Sequence, residues 1–118
     1  WTTFTPTTVG MTTPTVTACI YRVFGDRVDV YVDIFGAFVA ATTPCQITNL
    51  PFAASNSGVW AGITQWGVIK VMSNGTLSIG GYAIVGGATT VSVTLAAETS
   101  LNSASGNRGF KGFFTYYK

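Results

Sequence analysis

The sequence lacks histidine altogether and is poor in charged residues. Its 118 residues include six Lys or Arg and four Asp or Glu, so that 8% of the chain is charged while 47% is hydrophobic. Histidine is the commonest general base, the usual activator of Ser and Cys nucleophiles, and the commonest metal ligand. Its absence predicts a protein that is not an enzyme and that holds no metal or cofactor.

The sequence also lacks an apolar run of the length that a membrane span requires. A span needs about 20 consecutive apolar residues, whereas Thr, Ser, Gln, Gly or a charged residue interrupts every apolar stretch here. The net charge is +2 and the cationic residues are scattered, which disfavours nucleic-acid binding. The high hydrophobic content and the small number of charges predict that other subunits cover part of the surface, as in an obligate oligomer.

Cysteine is scarce as well. Cys19 and Cys45 permit one disulfide, but their spacing matches no metal motif, and buried free thiols are the favoured interpretation. The chain begins at Trp1 without an initiator Met or a signal-like segment. We therefore expect residues 1–118 to form a single domain that is a fragment of a longer protein.

Residues that favour β-strands are abundant and alternate along most of the chain. Val, Ile, Thr, Tyr and Phe alternate with a period of two, and Gly or Asn stands at the breaks. The clearest element is a hairpin over residues 17–38, in which Gly25-Asp26 forms a type II′ turn. This turn pairs Arg22 with Asp29 on one face of the sheet. The opposite face, expected in the core, carries Cys19, Tyr21, Val23, Val28, Val30 and Val32.

Further strands follow at regular spacing. Asn74-Gly75 predicts a second hairpin with a type I′ turn, and with Thr76 it also spells a glycosylation sequon, although the turn alone explains these residues. Other strands are expected over residues 46–49, 59–65, 82–85, 91–95 and 110–117, and residues 96–101 could form a single helical turn. The predicted fold is all-β: one antiparallel, jelly-roll-like β-sandwich of about eight strands.

The few carboxylates do not suggest a catalytic pair. Asp29 and Asp33 share one face of one strand, but four residues of strand separate them by about 13 Å. A glycosidase pair needs about 5 to 9.5 Å. Glu98 could approach from another segment, so glycan hydrolysis remains a minor alternative. A Ca²⁺ site is disfavoured because no Asp-rich loop is present.

The aromatic residues are the better functional candidates, since sugar rings stack on aromatic faces. In the predicted strand 59–65 and its continuation, Trp60, Thr64 and Trp66 share one face and form a platform. Together with Tyr82 they are the candidate glycan-binding residues. The alternative is that one or both Trp residues fill the core or a seam between subunits. Tyr116 and Tyr117 must point to opposite faces, so at most one belongs to the core.

Several motifs occur in an order that resembles the distal domains of bacteriophage tail-fibre and tail-associated proteins. Trp1 is followed by Pro6-Thr7, then by a Tyr-x-x-x-Gly-x-x-Val hairpin that starts at Tyr21, a long alternating strand, and an Ile-Thr-x-Leu-Pro-Phe segment over residues 47–52. The resemblance covers the first half of the chain, and the second half only as a strand pattern. By this match Gly25 belongs to the turn, Leu50 and Phe52 to the core, and Pro51 ends a strand.

The resemblance implies a virion protein: a homotrimeric β-sandwich on a fibre that binds host cell-surface polysaccharide and contacts other virion subunits. It carries over no catalytic residue. The alternative is a structural capsid-decoration or head-fibre domain with no receptor role, and the sequence does not separate the two.

Overall fold

The structure is a computed structural model and describes residues 1–38, 45–73, 76–95 and 107–118. Within these ranges the regular secondary structure is made of strands and one short 3₁₀ helix at Gly58–Trp60. The predicted all-β, antiparallel class is confirmed. The strands are β1 (Thr2–Thr3), β2 (Thr7–Val9), β3 (Met11–Phe24), β4 (Arg27–Phe38), β5 (Cys45–Thr48), β6 (Thr64–Ser73), β7 (Thr76–Val85), β8 (Val91–Leu95) and β9 (Asn107–Tyr117). No described helix is long and apolar enough to cross a lipid bilayer.

The strands form one antiparallel sheet in the order β1-β3-β4-β9-β6-β7-β8-β5-β2. Strands β2 and β3 lie towards opposite ends of this order, yet a single residue, Gly10, separates them along the chain. Gly10 has φ +83°, a value that glycine adopts readily because it has no Cβ. This short link brings the two ends of the sheet together, and the sheet curls into a half-barrel.

The hairpin of β3 and β4 has the predicted register. Arg22 pairs with Asp29 and Cys19 with Val32, as the two-residue loop requires. Gly25 has φ +59° and Asp26 is not in the positive-φ region, as a type II′ turn requires. The core assignment of Val23 is wrong, because it is 37% exposed. Strand β1 pairs with β3 only at residues 20 and 21, so β3 near the turn is an open sheet edge.

The second hairpin is also confirmed, since β6 and β7 pair up to Ser73 and Thr76. Its turn and sequon at Asn74-Gly75 lie outside the described residues, as do the helical turn expected over 96–101 and Glu98. The strand predicted over residues 59–65 is wrong: a 3₁₀ helix ends at Trp60, and β6 begins only at Thr64. The sequence pattern also missed β1 and β2, which are too short to show a period.

The core lies on the inner face of the curled sheet. Leu50 belongs to it as expected, whereas Phe52 does not, being 36% exposed while it packs edge-on against Tyr21. Cys19 is buried and free, and the side chain of Cys45 is outside the described part. The fully buried apolar side chains come from six strands: Val28, Val30, Val32, Ile34, Ile47, Val71, Ile84, Val91, Phe110 and Tyr116.

Candidate binding cleft at the seam between β6 and β9

The seam between β6 and β9 is only partly closed by backbone pairing. The two strands pair from Ser73 and Arg108 to Lys70 and Lys111, and the pairing stops there. Both strands continue beyond this point, β6 back to Thr64 and β9 on to Tyr117. Gly112, with φ +136°, is the first residue of β9 beyond the paired stretch. Over the remaining length, side chains take the place of the backbone ladder.

Gln65 makes the first of these links. Its side chain is buried, Nε2 donates to the backbone oxygen of Tyr117 at 2.9 Å, and Oε1 accepts from the backbone N–H of Tyr117 at 2.6 Å. The carboxamide therefore forms hydrogen bonds with both the N–H and the carbonyl oxygen of Tyr117, as the backbone of a neighbouring strand would. The backbone N–H of Ser55 donates to the same Tyr117 oxygen at 2.6 Å, which ties the segment before the 3₁₀ helix to β9.

Tyr82 makes the second link and is therefore part of the core, not of an accessible surface. Its side chain is 6% exposed, its hydroxyl donates to the backbone oxygen of Thr115 at 2.5 Å, and its ring lies 4.8 Å from that of Phe114. Burial raises the pKa of Tyr82. The ring occupies the space beside Gly67, where a Cβ would lie 2.5 Å from Tyr82 Cε1. Exposure of Tyr82 to a glycan, expected from the sequence, is thus wrong.

The other three candidates meet at one site. Trp60, Thr64 and Trp66 line a depression of about 190 Å³ together with Ile63, Gln65, Thr115 and Tyr117; we call this depression the aromatic cleft. Trp66 is 78% exposed. Trp60 stacks on Tyr117 with ring centroids 4.7 Å apart and an angle of 16° between the rings.

The two Trp residues of the cleft lie on different elements, not on one strand as the sequence predicted. The sequence pattern put Trp60 and Trp66 on one continuous strand, whereas Trp60 ends the 3₁₀ helix and reaches Tyr117 from outside the sheet. Gly62 has φ +69° and donates its N–H to Asn56 Oδ1 at 3.0 Å. This turn reverses the chain between the two Trp residues. The alternation of hydrophobic residues does not indicate this turn. The sequence therefore did not predict that Trp60 stacks on Tyr117.

Two larger depressions lie further along β9, towards its start. One, of about 610 Å³, is lined by Val68, Lys70, Ile79, Lys111 and Phe113, with Tyr31, Ile69 and Gly112. The next, of about 340 Å³, is lined by Phe35, Met72, Gly109 and Lys111, with Thr17, Asp33, Ile34 and Phe110. We call the three depressions together the β9 groove. Alternation along β9 could have indicated this surface, because Phe110, Phe114 and Tyr116 are buried whereas Lys111, Phe113 and Thr115 are exposed.

Most of the charge near the groove is held in ion pairs. Lys111 Nζ lies 2.8 Å from Asp33 Oδ2, and this hydrogen bond raises the pKa of Lys111. Asp29 accepts from Arg22, Arg27 and Thr115 at 2.9 to 3.1 Å. Burial of Asp29 disfavours its charged form, but these donors outweigh that effect and hold its pKa below the usual value.

The carboxylates do not gather into a metal site among the described residues, since no group of three or more His, Cys, Asp or Glu side chains occurs there. The Arg22 guanidinium, which bonds Asp29, also lies 4.6 Å from the centre of the Trp1 ring. Arg22 and Asp29 thus form part of a packed surface cluster.

No protein-family model, no curated protein and no solved structure matches this chain. The geometry and chemistry of the seam therefore carry the functional argument.

Proposed function

We propose that the chain is a non-catalytic, glycan-binding module of a bacteriophage tail-fibre or tail-associated protein, which attaches the virion to polysaccharide on the host cell. The observation that carries the proposal is the exposure of Trp66, 78%, beside the stacked pair of Trp60 and Tyr117. Binding sites combine aromatic walls with a few polar groups. The exposed Thr64 supplies such a group at the rim of the cleft.

The absence of catalysis in this proposal is supported by the state of the carboxylates. A glycosidase acid needs a raised pKa, whereas the donors around Asp29 lower its pKa. Asp33 is held by Lys111. Cationic donors already occupy both groups, so neither suits the role of general acid.

The proposal includes a homotrimer in which the two halves of the curled sheet pack as a sandwich. It is supported by the low charge of the chain and by exposed hydrophobic side chains away from the β9 groove. Val16 on β3 is 44% exposed and Val59 before the cleft is 79% exposed. Light scattering at micromolar concentration tests this part, and a monomeric mass would contradict it.

A second candidate function is a structural capsid-decoration or head-fibre domain. It is favoured by exposed apolar side chains in the middle of the groove. Val68, Ile79 and Phe113 are 62%, 64% and 63% exposed there. All three side chains line one depression, and a contiguous exposed apolar patch is a feature of protein contact sites. In this case the groove would be covered by another virion subunit.

A glycan array made from bacterial capsule and O-antigen polysaccharides separates the two functions. The receptor function predicts reproducible binding that Trp66→Ala abolishes. Phe52→Ala serves as the control, because it removes an exposed aromatic ring outside the groove and leaves the backbone bonds of Phe52 to the Tyr116 hydroxyl. No binding across the array would contradict the receptor function and favour the structural one.

A further inference from the structure

We infer that the β9 groove accommodates a linear polysaccharide with carboxylate groups, and that Lys70, together with Lys111, recognises the acidic sugar. The inference rests on the proposed glycan-binding function and specifies its ligand. Three features of the groove support it: its length, the charge at its middle, and the apolar residues around that charge.

The groove is long and follows one strand. Its three depressions are lined in turn by Gly109 and Lys111, by Lys111 and Phe113, and by Thr115 and Tyr117. At about 3.3 Å per residue, the eight steps from Gly109 to Tyr117 span about 26 Å. Strand β6 lines the other side over the same length, from Met72 to Thr64. A surface of this shape suits a chain of several sugars better than a single terminal sugar.

The middle of the groove carries a positive charge that the described carboxylates do not neutralise. Lys70 lies directly opposite Lys111 in the sheet, and like charges in such pairs repel. Asp33 bonds Lys111, which leaves two cations against one anion, a net charge of +1.

The other carboxylates among the described residues do not reach Lys70. Asp29 is held by Arg22 and Arg27, and Asp26 lies in the β3–β4 turn. No described carboxylate is within 4 Å of Lys70 Nζ, since the ion pairs of these ranges involve Asp29 and Asp33 only. An anionic group bound beside Lys70 would relieve the repulsion with Lys111.

The surroundings of Lys70 strengthen such a contact. Val68, Ile79 and Phe113 line the same depression, so a bound sugar would displace water from around the ammonium group. A charge pair in a less polar environment is screened less than one in open water. A nucleic acid is a poorer fit, because a polyphosphate needs a row of cations and the groove supplies two, one of them already paired.

The test uses the full chain and the polysaccharides bound on the array. Each bound polysaccharide is compared with its own carboxyl-reduced form, in which uronic acids become neutral sugars and phosphate or sulfate groups remain. We expect the bound polysaccharides to contain carboxylates and their reduction to weaken binding about ten-fold or more, the range of one charge-assisted hydrogen bond. Lys70→Gln should weaken binding to a similar extent.

Lys118→Gln is the matched control, because it makes the same change in net charge at a residue that does not line the groove. Lys118 lies beside the Phe52 ring and lines a separate depression with Trp60 and Tyr117. Seven steps of extended chain separate it from Lys111, about 23 Å, so its charge is screened from an anion bound between Lys70 and Lys111 and its substitution should change affinity less than two-fold. An equal loss in both variants would overturn the inference, since bulk charge would then explain binding. A series of oligosaccharides should bind more tightly as length increases, and equal affinity for the shortest and longest would contradict a linear ligand.

The outcomes also separate this inference from the function on which it rests. If neutral polysaccharides bind and Trp66→Ala abolishes their binding, the proposed function stands and recognition of carboxylate by Lys70 is wrong. The same holds if binding survives carboxyl reduction. If no polysaccharide binds, both proposals fail.

Discussion

The side-chain carboxamide of Gln65 is hydrogen-bonded to both the N–H and the carbonyl oxygen of Tyr117, at 2.6 and 2.9 Å. It does so where β6 and β9 no longer pair through their backbones. One buried side chain therefore joins the last residue of β9 to β6, while β9 pairs with β4 on its other side up to the same residue. The same residue provides the ring on which Trp60 stacks, so the link also fixes the wall of the aromatic cleft.

We expect Gln65→Leu to lower the free energy of unfolding by about 2 to 4 kcal/mol, because it leaves the Tyr117 N–H without its partner and removes one of two hydrogen bonds to the Tyr117 oxygen, the other being donated by Ser55. Urea denaturation measures the loss. Gln46→Leu is the matched control: the Gln46 amide donates only to the Ser92 hydroxyl at 3.1 Å, so its loss should be about 1 kcal/mol. Equal losses in the two variants would show that the Gln65 link has no special role.

Gly67 leaves the space that the Tyr82 ring occupies on its way to Thr115. A Cβ on Gly67 would lie 2.5 to 2.7 Å from two ring carbons and the hydroxyl oxygen of Tyr82, and the ring is held by Phe114 and by the bond to Thr115. We expect Gly67→Ala to destabilise the fold by about 2 to 4 kcal/mol, through overpacking and loss of the hydroxyl bond. Thermal or urea unfolding measures it.

A double-mutant cycle isolates the cause. In a Tyr82→Val background the ring is absent, so adding Gly67→Ala should cost less than about 1 kcal/mol. If the alanine is as damaging there as in the native chain, the steric argument is wrong and the backbone of β6 must require glycine for another reason.

The part of this architecture that the sequence predicts is the part governed by local rules. Gly25-Asp26 fixes a two-residue turn, and the turn fixes the register, including the pairing of Arg22 with Asp29, as far as Ala18, beyond which the register shifts twice. No local rule predicts that the backbone pairing of β6 and β9 stops part of the way along the two strands. Beyond that point the strands are joined by the contact of Gln65 with Tyr117, 52 positions away, and alternation cannot reveal such a contact.

The candidate site shows the same division. Alternation placed Thr64 and Trp66 on one face correctly, since both are exposed and line the cleft. It could not place Trp60, which lies on a 3₁₀ helix. Tyr82 is included among the candidate binding residues because a period of two does not say which face of a strand is covered. In the described residues, the hydrogen bond from Tyr82 to Thr115, the contact with Phe114 and the space beside Gly67 show that this side chain is covered.

Cys19 should be inert to thiol reagents in the native protein. It is buried and free, and burial raises its pKa to about 12, so the reactive thiolate is almost absent at neutral pH. We expect iodoacetamide to leave Cys19 unmodified until the chain is denatured, as measured by mass spectrometry of its peptide. Rapid modification of the native protein would contradict both the burial and the raised pKa.

The same raised pKa predicts a loss of stability in alkali. The unfolded thiol loses its proton near its usual pKa of about 8.5, while the folded thiol keeps its proton up to about 12. The stabilising contribution is complete below the lower value and is lost as the pH rises towards the higher one. Cys19→Ala should therefore flatten the alkaline decline of the unfolding free energy, and an unchanged slope would argue against this origin.

The stabilising contribution of Asp29 should be lost as the pH falls, whereas that of Cys19 is lost as the pH rises. Its pKa is lowered in the folded chain by donors from Thr115, Arg27 and Arg22, which outweigh the effect of burial. Its contribution is therefore complete above the unfolded pKa of about 3.9 and is lost as the pH falls through the folded value. At neutral pH, Asp29→Asn should lower the free energy of unfolding by about 1 to 3 kcal/mol, the cost of losing charge-assisted hydrogen bonds.

Urea denaturation at about pH 7 and about pH 2.5 tests this contribution, since the two values lie well on either side of the unfolded pKa. The native chain should lose more stability between the two than Asp29→Asn does, because the variant has no carboxylate to protonate at that position. Asp26→Asn removes the same charge from the exposed β3–β4 turn and controls for net charge. If Asp26→Asn reduces the acid sensitivity as much as Asp29→Asn, overall charge and not the cluster around Asp29 determines the response to acid.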